Sequence, residues 1–153
     1  MIDVRPTVQE DVLALAPRLR QADIDEIMAS SGLDPHTALV LSHQVSSECF
    51  TVFGGCNQIA MFGVKEEDNP SIGRIWMLGS DEIHDHRFGF LRRSKAWVDH
   101  LQDRYPILYN YIDARNTVHI RWLQWLGFSF ISEVQNYGFE QRLFYQFVRI
   151  NHV

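Results

Sequence analysis

The sequence predicts a mixed α/β domain, and three observations predict it. The stretch from Leu108 to Phe130 changes period: Leu108, Tyr109, Tyr111 and Ile112 suit a half-buried strand, whereas Ile120, Leu123, Trp125 and Leu126 return at helical spacing. The chain before it reads strand, helix, helix and then three strands in succession. The chain after it holds two β-rich runs, Phe128 to Val134 and Arg142 to Ile150, which suit a terminal hairpin. At 153 residues these elements fit one domain, residues 1–153, large enough for a sizeable core without covalent staples.

Taken in order, Ile2 and Val4 lead a short strand that ends at Pro6, and Thr7 followed by Gln9, Glu10 and Asp11 has the chemistry of a helix start, with Thr7 as the cap. Apolar residues then recur from Val12 to Met28, as one amphipathic helix or a helix bent at Pro17. Ser30, Ser31 and Gly32 stop it. Asp34 and Pro35 supply the cap and first position of a second helix carrying Ala38, Leu39, Leu41 and Val45. Glu48 to Phe53 and Gln58 to Val64 read as a hairpin turning at Gly54-Gly55. Ile72 to Leu78, apolar without alternation, reads as a central strand covered on both faces. A long helix from about Phe88 to Tyr105 buries Leu91, Trp97, Val98 and Leu101, and Pro106 ends it. The final hairpin turns at Asn136-Tyr137-Gly138 and is rich in aromatics that suit core packing or an interface.

Composition narrows the function. Apolar residues make up 46% of the chain and aromatics 12%, which is globular composition. A formal charge of −5 argues against a general nucleic-acid coat or a basic membrane-surface protein. All basic residues except Lys65 and Lys95 are arginine, which suits fixed pairing and a packed partner. No apolar run reaches bilayer length and MIDVRPTVQED lacks a signal pattern, so the expected location is the cytoplasm. Cys49 and Cys56 read as free thiols, with a cross-strand disulfide as the alternative. Glu82, His84, Asp85 and His86 carry ligand chemistry but lack a well-spaced third ligand elsewhere, so no metal is assigned.

The order strand, Asn116, short helix, Gly127-Phe128, strand resembles the last segment of the GCN5-related N-acetyltransferase (GNAT) fold. The opening IDVRPTVQEDV, about a hundred residues earlier, resembles the opening of the same fold. The resemblance implies a central, mostly antiparallel sheet of six to seven strands with helices on both faces. It implies acetyl-CoA held near Leu78, Gly79, Arg87, Gly89 and Asn116, with the first helices on the acceptor side. Active members commonly carry a proton-donating tyrosine four residues before the glycine; here that position is Leu123. In an active enzyme, Asp113 would serve as base through water, and Tyr109 or Tyr111 as the substitute acid. The loop GSDEIHDHRFGF, expected at the cofactor pyrophosphate, offers only Gly79 and Gly89 among bulky and acidic residues, so it reads as degenerate.

A narrower resemblance rests on Trp76-x-Leu78, the tyrosine-bearing strand and Asn-Thr-x-His-Ile-Arg-Trp-Leu at Asn116 to Leu123. These are similar to the GNAT-like internal virion protein family of short-tailed phages. That resemblance implies a phage-encoded assembly or virion component, made in the infected bacterium, with phage structural proteins or further copies of itself as partners. Two classes of function follow: an assembly protein on a GNAT scaffold, or a working acetyl-CoA-dependent N-acetyltransferase for a small amine or host protein. The gap between the Ile72 and Leu108 strands discriminates them, because Trp76, Phe88 or Phe90 would fill it in a protein that has no cofactor.

Overall fold

The computed structural model describes residues 1–151. Seven strands form one sheet: β1 (Ile2–Pro6), β2 (Glu48–Gly54), β3 (Asn57–Glu66), β4 (Ile72–Gly79), β5 (Ile107–Asp113), β6 (Ser129–Tyr137) and β7 (Arg142–Ile150). Their spatial order is β1-β2-β3-β4-β5-β7-β6. Every neighbouring pair is antiparallel except β4 with β5, which α4 (Arg87–Arg104) joins as a parallel crossover. Alternate residues of β4 serve the two faces. Trp76 and Leu78 join a core beneath α1 (Gln9–Leu15), α2 (Gln21–Ser31) and α3 (Pro35–Val45). Ile75 packs on the cluster under α4 and α5 (Thr117–Trp125), and Met77 on the one holding Phe90.

Several local expectations change. The Val12 to Met28 run is neither one helix nor a bent one: α1 tightens into a 3-10 turn at Ala16–Arg18, and Leu19 is extended before α2 begins. Pro17 has no N–H to continue the ladder, and Leu19 instead bridges to Ser80 beside β4. Val8, not Thr7, caps α1, its N–H satisfied by the Asp11 carboxylate at 3.0 Å, while the Thr7 hydroxyl pairs with Thr51. Asp34 caps α3 as expected. On α5 the inward residues are His119, Trp122 and Leu123, with Leu126 buried just past its end, and Trp125 lies on the exposed side. The last hairpin turns later than expected, at residues 138–141, and its tip lies on the end of α2, where Phe139 N–H donates to Ser30 O at 3.2 Å. Cys49 and Cys56 are free, and Cys49 faces Gly63 across the ladder.

Candidate functional site

β4 and β5 pair only from Ile72 to Arg74 and from Ile107 to Tyr109. Beyond that point the side chain of Asn110 stands in for the next rung. Its Nδ2 donates to Ile75 O at 2.7 Å, and its Oδ1 accepts the Tyr111 N–H at 2.8 Å. The strands then diverge, and α2 takes over their outer ends. Gly79 N–H donates to the Asp23 carboxylate at 2.9 Å and Gly79 O accepts from Arg20 N–H at 2.8 Å, while Asp113 N–H donates to Glu26 Oε1 at 3.0 Å. Strand ends left without a strand neighbour thus have their backbone groups satisfied by one helix.

A cavity of about 500 Å³ runs through this gap and opens onto both faces of the sheet, reaching Leu33 and Leu41 on one side and Val52, Phe62 and Trp97 on the other. Trp76 and Leu78 of β4, Tyr111 and Ile112 of β5, and Leu123 of α5 line it. Ile75, Trp76 and Met77 are consequently only half-buried, where a strand covered on both faces was expected. Phe88 is exposed, and Phe90 stacks on Trp122 with ring centroids 5.6 Å apart, so neither closes the gap. The size falls within the range of small-molecule sites.

A polar cluster sits at the wide end. Asn116 begins α5, and its amide lies 3.5 Å from Asp23 and 3.4 Å from Glu26, with Arg20 donating to its Oδ1. Arg20 pairs with Asp23 at 2.9 Å and Arg115 with Asp113 at 2.7 Å. Glu26, which lines the gap, has no such cation. Its burial, and next the Asp23 charge, push its pKa up to about 8, so it carries a proton at neutral pH. Burial lowers His119 to about 4 and keeps it neutral. His119 Nδ1 and Trp122 Nε1 are buried without a hydrogen-bond partner, and both residues line the gap.

The connection after β4 winds into a 3-10 helix, Asp81–His86, before α4 starts. Ser80 caps it by accepting from Glu82 N–H, Ile83 N–H returns to Ser80 O, and Arg87 N–H returns to His84 O. Glu82 is held by Arg18 at 2.6 Å and by Asn57 at 3.1 Å. The Glu82, Ile83 and Arg87 N–H groups are thus taken within the connection itself. Among the described residues no group of three or more His, Cys, Asp or Glu side chains converges as a metal site, and no helix is long and apolar enough to cross a membrane.

The family model for "Bacteriophage T7, probable scaffold protein Gp13" matches residues 48–135, which spans β2 to β6 and both lips of the gap. The chain belongs to this family. The probable scaffold protein gp13 of Escherichia phage T7 is 27% identical over 143 residues, covering 90% of this chain and 92% of the relative. In structure the gp13-family chain resembles Ard1 from Thermoplasma volcanium, with a TM-score of 0.77 and 15% identity over 99% of both chains. It also resembles the ribosomal-protein-S18-alanine N-acetyltransferase from Escherichia coli, with a TM-score of 0.71 and 15% identity over 100% of this chain and 96% of the other. At such identities the likeness shows the fold, and the fold is that of the GNAT acetyltransferases.

In this gp13-family chain, two of the residues expected from sequence, Leu78 and Tyr111, line the gap. Gly79, Asp113 and Asn116 surround its wide end, with Gly79 and Asp113 tied by α2 and Arg115. The Tyr111 hydroxyl accepts from Gln146, and its ring stacks on Tyr137. Tyr109 lies at the closed end, donating to Glu67 at 2.6 Å; burial, then this bond, raise its pKa. Arg87 is exposed at the start of α4 and donates to His84 O, while Gly89 packs against Ile2, so both stand apart from the gap. Sequence reasoning missed Asp23, Glu26 and His119. The signal available was two acids three residues apart on α2, each directly preceding an apolar residue, Ile24 and Ile27.

Proposed function

We propose that this protein is a phage-encoded assembly or virion component that uses the GNAT fold as a binding scaffold, with a degenerate acetyl-CoA site. The observation that carries the reading is the T7 relationship along nearly the whole of both chains, since that relative is named a probable scaffold protein. Three features of the site support it. Leu123 stands where active GNAT enzymes hold a tyrosine, the Gly79 N–H on β4 is already given to Asp23, and the Glu82, Ile83 and Arg87 N–H groups after β4 are taken within that connection. Its partners are then phage structural proteins or further copies of itself, in the cytoplasm of the infected bacterium and in the assembled particle as an internal component.

A second reading, an acetyl-CoA-dependent N-acetyltransferase, is favoured by one observation: the gap between β4 and β5 is open. In that reading Leu78, Gly79 and Asn116 flank the thioester, Arg87 and Gly89 sit toward the cofactor's anionic end, Asp113 relays a proton through water, and Tyr111 or Tyr109 supplies one. Glu26 is better placed than Asp113 for proton transfer, because it faces the gap and Asp113 is held by Arg115. Titration calorimetry with acetyl-CoA and with CoA separates the two. No heat at millimolar ligand is expected of the assembly protein, whereas micromolar binding supports the enzyme.

A further inference from the structure

We propose that the gap between β4 and β5 is a docking slot for a short, uncharged, extended segment of another phage polypeptide, held by strand-like hydrogen bonds to the backbone of Met77. This rests on the assembly reading above. Ser80 N–H donates to Ile59 O across the β3–β4 ladder, so by alternation Ile75, Met77 and Gly79 turn their backbone groups the other way, toward β5. Asn110 takes the Ile75 carbonyl and α2 takes both Gly79 groups. Met77, between them, turns an N–H and a C=O into the gap with no partner among the described residues. The opposite lip is alike. Ala114 N–H donates to Leu143 O, so Tyr111 and Asp113 face the gap. Asn110 and Glu26 take their N–H groups, leaving the Tyr111 carbonyl. Free strand backbone between two lips is what an extended chain pairs with.

The side walls agree with that occupant. Trp122 and His119 line the gap with their rings, and their Nε1 and Nδ1 atoms, buried behind that surface, have no partner. Glu26 is neutral there, Arg74 is already paired with Glu67, and Lys65 and Arg93 are exposed at the rim. A charged side chain within would therefore lack a counter-ion, whereas an uncharged one leaves no charge buried unpaired. Leu41 and Val45, one turn apart on α3, line the gap while remaining 43% and 54% exposed, which makes its mouth apolar. The stretch from Ile75 to Gly79 is about 13 Å of strand, room for three or four residues.

The test titrates the ¹⁵N-labelled full chain with acetyl-Val-Ala-Leu-Val-amide, with the same peptide N-methylated at its central amide, and with CoA. The Met77 amide and Trp122 indole signals are expected to move with the first peptide and about tenfold more weakly with the second. Ser42→Trp, at the mouth on α3, is expected to abolish the movement while thermal unfolding stays unchanged. A still Met77 signal at about 10 mM of the first peptide overturns the slot, as does movement with CoA that the peptide does not displace. Complementation of a phage lacking the gene keeps the two readings apart. Normal particles without the gene overturn the assembly reading, whereas loss of particles together with a still Met77 overturns the slot alone.

Discussion

Glu26 on α2 and the backbone of Asp113 at the end of β5 are joined by a 3.0 Å hydrogen bond, and through it a helix occupies the place that a strand neighbour would take. The same carboxyl receives the Asn116 amide. Among three carboxyls, Asp23, Glu26 and Asp113, and two guanidinium groups, Arg20 and Arg115, Glu26 is the acid without a cation, and its burial, with the Asp23 charge next, keeps it protonated.

That proton makes stability depend on pH. Glu26 moves from an ordinary 4.5 to about 8, so between these values the unfolded chain has released a proton that the folded one keeps, and stability falls as pH rises. His119 moves from 6.5 to about 4, so between those values the unfolded chain binds the extra proton, and stability rises with pH. The two oppose each other below pH 6.5, and the Glu26 effect stands alone from 6.5 to 8. Urea unfolding across that upper window is expected to show a loss of roughly 1–2 kcal/mol that Glu26→Gln removes.

Asn110 replaces one rung of the β4–β5 ladder with its own amide. Asn110→Ala leaves the Ile75 carbonyl and the Tyr111 N–H without these partners, and is expected to cost about 1–3 kcal/mol. Hydrogen exchange reads it directly, as faster exchange at the Tyr111 amide than in the parent protein.

Gly138 meets α2 backbone to backbone. Its φ is +70°, and an added Cβ would lie 2.6 Å from Ala29 O, so Gly138→Ala is expected to lose roughly 2–4 kcal/mol. Gly55 also has a positive φ, +61°, but nothing within 4 Å, so Gly55→Ala is expected to lose only about 1 kcal/mol. Equal midpoints in denaturant titrations of the two variants would contradict the clash.

Leu123→Tyr returns a hydroxyl to the position active GNAT enzymes use. Because Gly79 N–H remains with Asp23 and the Glu82, Ile83 and Arg87 N–H groups stay bonded within their own connection, the variant is expected to release no more CoA thiol from acetyl-CoA than the parent does. A rise of tenfold or more, about 1.4 kcal/mol of barrier, would restore the enzyme reading.

The succession of strands along the chain, the two caps at Asp34 and Gly32, and the Asn116 to Phe128 segment were legible because each is written in neighbouring residues. Proline and glycine set local backbone, and alternation sets which side faces inward. The break at Leu19 was not legible. Its extended backbone is stabilised by a bridge to Ser80, a residue far away along the chain. Trp125 and Trp122 are both large and apolar on α5, and only the neighbours Phe90 and His119 select Trp122 as the inward one.

By itself the sequence determined an order of strands and helices and a bulky acidic connection after β4, carried by local spacing and residue type, and a resemblance to the GNAT fold that puts Leu123 where active members carry a tyrosine. Tertiary structure alone decided that the gap stays open and that α2 caps both strand ends. It also decided that Glu26 holds a proton. Each of those depends on distances between groups remote in the chain, and on how far the surrounding protein excludes water from them.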